Sequence, residues 1–354
     1  MARKAVTIKD ISKIMGVSVS TVTNAMNGAP NVSEELRQAI IAKAKELGYK
    51  PNFHARAMVK NGIKIAAIMS QQPAQYMDMV VKGMNEEVGR LSDYKVTLKK
   101  YIYHDNMASL EACDCVKRMI ADGADGVIFG ASFNKDAYID IFEDYIRKSN
   151  IPVIGTDEDI DLIPYICIIN SDAKVMAQLV AQFIAIKYGA GAKVGVITTN
   201  FKHANHKLII DVFRGECEKN GLVLLDILEN NDNSVRTYEC THKLITEHPD
   251  IDVIYKTSFD SVFVCRCIEN MGLKGKVHVI GHDIYQEMIP YIMNDMIDAT
   301  IFQNPQEQGR AVVRILTEWI LGEKSIPKRI HLRPELVLKS NIESYLEEHG
   351  CKMP

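Results

Sequence analysis

The apolar positions change their spacing once along the chain, near residue 62. Up to residue 50 they recur at helical intervals. Ile8, Ile11, Ile14 and Met15 share one face of a first helix. Val22, Ala25 and Met26 form the inner side of a second, and Leu36, Ile40, Ala44 and Leu47 stripe a third. The punctuation fits this reading. Thr7 stands at an N-cap with Asp10 three residues on, and Ser18 and Ser33 stand at the next two caps. Gly16 supplies a tight turn, Asn27-Gly28-Ala29-Pro30 ends the second helix, and Gly48 closes the third. Glu34 and Glu35 occupy the first turn of the third helix, where the helix dipole favours acids. The second helix spends its outer face on Val19, Ser20, Thr23 and Asn24, with none of the Glu and Lys usual on a solvated face. Two short helices around Met15-Gly16-Val17, the second thin and polar, have the layout of a helix-turn-helix whose second helix enters the DNA major groove.

Residues 51–62 break the pattern, with Lys50-Pro51-Asn52 before an apolar and basic stretch and Asn61-Gly62 after it. From residue 63 short apolar runs alternate with amphipathic helical stretches. Strands are predicted at 63–69, 95–103, 126–131, 152–156, 194–198, 222–228, 253–257 and 277–281. Helices are predicted at 78–91, 107–122, 175–188, 207–220, 235–247 and 261–271. Such alternation gives an α/β fold of parallel sheets covered on both faces. The elements exceed one compact sheet, so the expectation is two Rossmann-like lobes with doubly wound parallel sheets. The chain crosses between them near 160–172 and returns near 297–303. The boundaries predicted are a head at 1–50, a linker at 51–62, a two-lobed body at 63–343 and a tail at 344–354. The first lobe takes about 63–160 plus 300–325, the second about 165–295 plus 330–343.

Charge sharpens the division. Residues 1–62 carry ten Lys and Arg against four acids, a net +6, which leaves −9 for the remainder of a chain whose total is −3. A basic head on an acidic body is the asymmetry of a polyanion-binding module attached to something else. The start of the chain has no apolar signal segment, and no run approaches the ~18 apolar residues of a membrane span. The eight cysteines include Cys113/Cys115 and Cys265/Cys267, pairs one residue apart with no His at ligand spacing, and read as reduced thiols of a cytoplasmic protein rather than a zinc site. Gly189-Ala190-Gly191 follows a helix and precedes a strand, the reverse of a phosphate loop. With no GxGxxG, Walker, HExxH or GxSxG motif the chain is not expected to be an enzyme, and no cofactor or metal is expected.

The stretch TIKDISKIMGVSVSTVTNAMNG, followed by NVSEELRQAIIAKAKELGYKPN, resembles the DNA-binding head of the lac-repressor/galactose-repressor (LacI/GalR) family, without a gap over about sixty residues. The resemblance implies that Val19, Ser20 and Asn24 read bases, and that Thr7, Ser18, Thr21, Thr23 and Asn27 contact phosphates. It places Tyr49 at the end of the third helix near the DNA backbone and adds Asn52 and His54 from the linker to the DNA-binding set. It also implies that the linker is a hinge helix that orders on DNA, with Met58 where family members usually wedge a leucine into a minor-groove base step. Asn24 departs from the arginine usual in the family. Arginine pairs with guanine and asparagine with adenine, so the operator should differ at that base pair.

Over 63–343 the chain is similar to the family's effector body, a periplasmic-binding-protein type I fold, carried by RMIADGADGVIFGAS, NIPVIGTDEDID, HVIGHD and MIDATIFQNPQEQGRAVV. By position the effector contacts implied are Tyr76 and Met77, Asp157 or Asp159, Asp260, Asp283 and Gln303. Carboxylates suit vicinal hydroxyls and an aromatic suits the apolar face of a sugar. Asp260 has the alternative of a helix cap, and Asp283 that of a strand-end turn. Departures exist. The family's Arg-x-x-Gly-Phe reads Ile209-Ile210-Asp211-Val212-Phe213, and its Asp-Asn-x-x-Gly-Gly turn reads Asn170-Ser171-Asp172-Ala173-Lys174-Val175. The function implied is a DNA-binding transcriptional repressor, a homodimer on a near-palindromic operator, controlled by a small carbohydrate effector and without membrane attachment. The alternatives are a free-standing sugar-binding protein of the transport type, or a regulator whose altered pocket works with a protein partner.

Overall fold

The computed structural model describes residues 6–26, 31–49, 62–71, 74–104, 108–130, 139–156, 164–201, 203–323 and 325–349. Asn27, Asn52, His54, Met58, Asp157 and Asp159 lie outside these residues.

The head is three helices, α1 (Ile8–Met15), α2 (Val19–Met26) and α3 (Glu34–Glu46). Thr7 and Asp10 form the reciprocal capping box: Asp10 N–H donates to Thr7 Oγ1 at 3.4 Å, and Thr7 N–H donates to Asp10 Oδ2 at 2.8 Å. Gly16 turns the chain at φ 65°, in the left-handed region that glycine adopts without strain. Ile11, Val22, Ala25, Val32, Ile40 and Ala44 make the buried core. Ile14, expected on that core face, is instead 53% exposed. At 3.6 residues per turn it sits about 60° around the helix from Ile11 and about 100° from Met15, at the edge of the core arc, which closes without it.

The body holds two six-stranded sheets. From edge to edge the first runs Arg329–Leu332, Tyr165–Ser171, Val153–Thr156, Gly126–Gly130, Ile63–Ser70 and Val96–Tyr103, and the second Glu335–Val337, Ile297–Phe302, His278–His282, Val253–Lys256, Lys193–Thr198 and Val223–Glu229. In chain order β1 (Ile63–Ser70), α4 (Ala74–Arg90), β2 (Val96–Tyr103), α5 (Ala108–Ala121), β3 (Gly126–Gly130), α6 (Ile139–Ser149), β4 (Val153–Thr156) and β5 (Tyr165–Ser171) build the first lobe. The second follows as α7 (Ala173–Tyr188), β6 (Lys193–Thr198), α8 (Ala204–Lys219), β7 (Val223–Glu229), α9 (Ser234–Glu247), β8 (Val253–Lys256), α10 (Ser261–Asn270), β9 (His278–His282), α11 (Ile289–Met293) and β10 (Ile297–Phe302). Helix α12 (Pro305–Ile320) and β11 (Arg329–Leu332) then return to the first lobe, while β12 (Glu335–Val337) and α13 (Glu343–His349) end on the second. Every pairing is parallel except β10 with β12. Strands such as β1 read as nearly continuous apolar runs because both faces of a parallel sheet are buried.

Three lobe assignments differ from the sequence expectation. Residues 165–171 form β5 and pair with β4, so they belong to the first sheet, and the crossing falls at Ser171–Asp172. Residues 297–302 form β10 beside β9, so that return falls after Phe302. Residues 329–332 pair with β5 in the first sheet. The apolar pattern names strands and not their partners, so it located the crossings only to within one strand. The tail also differs: its first residues belong to α13, where Leu346 is buried and the Tyr345 ring meets Phe302 edge-on at 5.4 Å between centroids.

Helices α4 and α12 cross at near backbone contact. A Cβ placed on Gly83 would lie 1.8 Å from the Gln306 carbonyl oxygen, and one on Gly309 1.9 Å from that of Val80. Glycine is obligatory at both points, and the crossing holds α12 against the start of the first lobe. Arg310 fastens it by pairing with Glu86 of α4 at 2.9 Å and is braced by Glu307, one turn earlier on α12, at 2.6 Å.

Candidate functional sites: the head and the interlobe cleft

Helix α2 carries no charged side chain. Val22 and Ala25 point into the core; Val19, 43% exposed, and Ser20 point outward, and Thr23 and Asn24 are half-buried at the edge of the same outer face. Ser18 caps the helix by accepting from Thr21 N–H at 3.0 Å. Its hydroxyl also meets those of Ser20 at 2.6 Å and Thr21 at 2.8 Å, while Thr23 Oγ1 donates to the Val19 carbonyl at 2.9 Å. These hydroxyls keep one another satisfied, and each can redirect its proton to a phosphate while its oxygen goes on accepting. Thr7 sits at the N-terminus of α1, a ready anion site, with its hydroxyl donating to Asp10. Tyr49 is half-buried against the head core, and its N–H closes α3 on the Ala44 carbonyl at 2.9 Å. The structure therefore brings Thr7, Ser18, Val19, Ser20, Thr21, Thr23, Asn24 and Tyr49 onto one small domain.

The second candidate site lies where strand carboxyl ends of the two sheets meet. Asp283 follows β9 in the left-handed region, at φ 58°. Gln303 follows β10 at the crossing to α12. Gln303 N–H donates to Asp283 Oδ1 at 3.2 Å and its Nε2 donates to Oδ2 at 2.8 Å. Burial pushes the Asp283 carboxyl up to about 7, against the pull of these two bonds. The turn reading of Asp283 is thus right as far as it goes, and the side chain does more.

Asp260 does not cap α10 with its side chain, though it stands at the N-cap position with φ 38°. Its carboxylate faces Lys256, fully buried on β8, at 3.1 Å, and accepts from Thr237 Oγ1 at 2.5 Å and Asn230 Nδ2 at 3.3 Å. Lys256 also donates to Ser258. Nearby, His282 Nε2 pairs with the Tyr255 hydroxyl at 2.8 Å, and burial with the Lys256 charge pulls this imidazole down to about 3. His206, beside Thr257 and His203, is pushed well below the usual histidine range by burial, then by His203, His282 and Lys256. Both rings are therefore neutral donor-acceptor groups at neutral pH. Among the described residues, the buried atoms Thr199 Oγ1, Asn230 Oδ1, Ser261 Oγ and His282 Nδ1 have no hydrogen-bond partner.

Tyr76 and Met77 follow β1 as expected but are buried, at 6% and 5% exposure, in the core between the first sheet and α12. The Tyr76 hydroxyl donates to Gln308 Oε1 at 2.9 Å. A groove of about 580 Å³ opens at the opposite, amino-terminal edge of the first sheet, among Asp125, Arg147, Pro152, Ile166 and Trp319. It lies away from the Asp283–Gln303 pair.

Sequence reasoning missed Lys256, His206, His282 and Gln308. Two of them left a signal: Lys256 ends the apolar run Val253-Ile254-Tyr255, and Gln308 stands in helical register with the apolar Ala311, Val312 and Ile315. Among the described residues no group of three or more His, Cys, Asp or Glu is placed to hold a metal, and no helix is long and apolar enough to cross a membrane.

Comparison with known proteins identifies both parts of the chain. Residues 7–52 match the model of bacterial regulatory proteins of the lacI family, and residues 65–324 match a periplasmic binding protein domain. The probable HTH-type transcriptional repressor ExuR of Bacillus subtilis is 30% identical over 184 residues, 51% of each chain, so that match spans about half of either protein. The HTH-type transcriptional repressor PurR of Haemophilus influenzae is 22% identical over 96% of this chain and 99% of its own. The glucose-galactose binding protein GanP of Geobacillus stearothermophilus superposes with a TM-score of 0.70 at 23% identity, covering 79% of this chain and 99% of GanP. With a lacI-type head on a periplasmic-binding-protein body, this chain belongs to the LacI family of bacterial regulatory proteins.

Proposed function

We propose that the chain is a cytoplasmic transcriptional repressor that binds a near-palindromic operator as a homodimer and is controlled by a carbohydrate-type effector held between the lobes. The observation that carries the DNA half is the outer face of α2. It is uncharged, short-chained and hydroxyl-rich, on a domain that matches the lacI-family model. A symmetric dimer presents two such helices to two half-sites.

The cleft supports the effector half. Asp283 and Gln303 offer a carboxylate and an amide at the carboxyl ends of the second sheet, where open α/β sheets bind ligands. The partnerless polar atoms of Thr199, Asn230, Ser261 and His282 suit a ligand rich in hydroxyls. GanP, a glucose-galactose binding protein, shares this fold and covers 79% of this chain, and the remaining fifth leaves room for the lacI-type head of residues 7–52. That remainder favours a regulator over a transport-type binding protein. Asp260, turned onto Lys256, acts by holding the wall of the cleft rather than by reaching the ligand. Effector binding changes how the lobes close, and the difference in affinity between the two closures is the coupling energy that shifts DNA binding.

The test is a pair of measurements on the full chain. Duplexes selected from random DNA should be bound and shifted on a gel, and D-glucose, D-galactose or a derivative should raise the melting temperature. Failure to select any duplex would remove the DNA half. A flat thermal screen across neutral, acidic and phosphorylated hexoses would remove the carbohydrate.

A further inference from the structure

Gln308 is 1% exposed on the face of α12 that packs against the first sheet, among Ala311, Val312 and Ile315. A buried carboxamide is costly unless its atoms are bonded, because a half-satisfied amide gives up water for nothing in return. Here it is tied in three directions. Oε1 accepts from the Tyr76 hydroxyl at 2.9 Å and from Thr156 Oγ1 at 3.2 Å, and Nε2 donates to the Gln303 carbonyl at 3.1 Å. Tyr76 belongs to the first turn of α4, Thr156 ends β4, and Gln303 is the crossing between lobes. The Gln303 carbonyl also accepts from Ser171 Oγ, which ends β5 at the other crossing. Gln303 is thus gripped from both sides: its N–H and side-chain amide by Asp283 of the second lobe, its carbonyl by Gln308 and Ser171 of the first.

We propose that Gln308 is the positioning residue that ties the state of the Asp283–Gln303 pair to helix α4. The inference rests on the reading that this pair meets the effector. A ligand hydroxyl that takes over the Asp283 carboxylate frees the Gln303 amide, and the Gln303 carbonyl moves with its residue. Gln308 follows that carbonyl through Nε2 and draws Tyr76 with it through Oε1. Helix α4 cannot absorb the pull locally, because Gly83 and Gly309 press it against α12 at backbone distance. It passes the displacement to β1, the strand that continues directly from the linker to the head. Packed interfaces of this kind shift between discrete arrangements rather than deform by degrees.

The test needs neither DNA nor effector. Asp283→Asn serves as the perturbation, measured at about pH 8 where Asp283 is ionised, since an amide cannot accept both Gln303 donors as the carboxylate does. Amide hydrogen exchange of the full chain is followed in the peptide covering the first turns of α4, in the natural background and with Gln308→Met. The expected result is exchange in α4 faster by about tenfold on Asp283→Asn when Gln308 is present, and unchanged when Met replaces it. Peptides around β9 and β10 should respond alike in both backgrounds, which a merely structural role for Gln308 would not separate. Tyr76→Phe, which keeps the ring and loses the hydroxyl, should break the same coupling and serves if the Met variant does not fold. An equal response of α4 with and without Gln308, or no response in the natural background, overturns the proposal. A coupled response alongside a flat sugar screen would instead leave the relay standing and overturn the effector reading.

Discussion

Gln303 meets Asp283 twice, through its backbone N–H at 3.2 Å and its side-chain amide at 2.8 Å. One residue stands on the crossing between lobes and the other at the end of a second-lobe strand, so the pair is a latch. Both bonds favour the carboxylate, yet burial outweighs them and holds the Asp283 proton on up to about pH 7.

The latch gives stability a pH signature. A carboxyl whose folded pKa is raised adds stability at low pH and loses it as pH rises through the folded value. Relative to Asp283→Asn, the natural chain should lose stability between about pH 4 and 7, by an amount on the order of 4 kcal/mol at most. Urea unfolding of both proteins across that range measures it, and parallel curves would show that Asp283 titrates as an exposed carboxylate. His206 and His282, held neutral by burial, act in the opposite sense and destabilise the fold as pH falls below the ordinary histidine range. They cancel in the comparison.

Two glycines on one helix should respond with opposite signs. Gly83→Ala drives a methyl into the Gln306 carbonyl and should cost about 1–3 kcal/mol or more. Gly89, with nothing within 4 Å of its would-be Cβ, should gain about 0.4–1 kcal/mol as alanine. Thermal melts of the two variants decide this, and a Gly83→Ala protein as stable as the parent would contradict the close crossing of α4 and α12.

Lys256 and Asp260 form a fully buried pair. Lys256→Met should destabilise by about 3–5 kcal/mol because it strands a buried carboxylate. Adding Asp260→Leu should recover most of the loss, and chemical denaturation of the single and double variants reads the coupling.

The base-reading role implied for Asn24 is open to a direct test. Selection from random DNA should return adenine at the base pair it faces, and Asn24→Arg should move the preference toward guanine, with discrimination of about 1–3 kcal/mol. A guanine preference in the natural chain, unchanged by Asn24→Ala, would show that another residue reads that position.

The elements were legible in the sequence because each is written locally. The Thr7–Asp10 box, the Gly16 turn and the alternation after residue 63 all depend on neighbours a few positions apart. The outer face of α2 was legible for the same reason, as one surface of one short helix. What was not legible depends on distant pairing. Nothing near residue 165 says that β5 joins β4 rather than β6, since parallel strands look alike in sequence. Asp260 and Tyr76 stand at cleft positions, but Lys256 and Gln308 capture their polar groups, and those partners come from other segments. Asp283 and Gln303 each follow their own strand, β9 and β10, and meet each other at the strand ends.

The most direct test of the account is the affinity of the full chain for a selected duplex, measured with and without the sugar that raises its melting temperature. The account predicts a symmetric site, binding that weakens steeply with salt as phosphate counterions are recaptured, and a change in affinity of about 5–150-fold on adding the sugar. An asymmetric or absent site, or an affinity that the sugar leaves untouched, would contradict it.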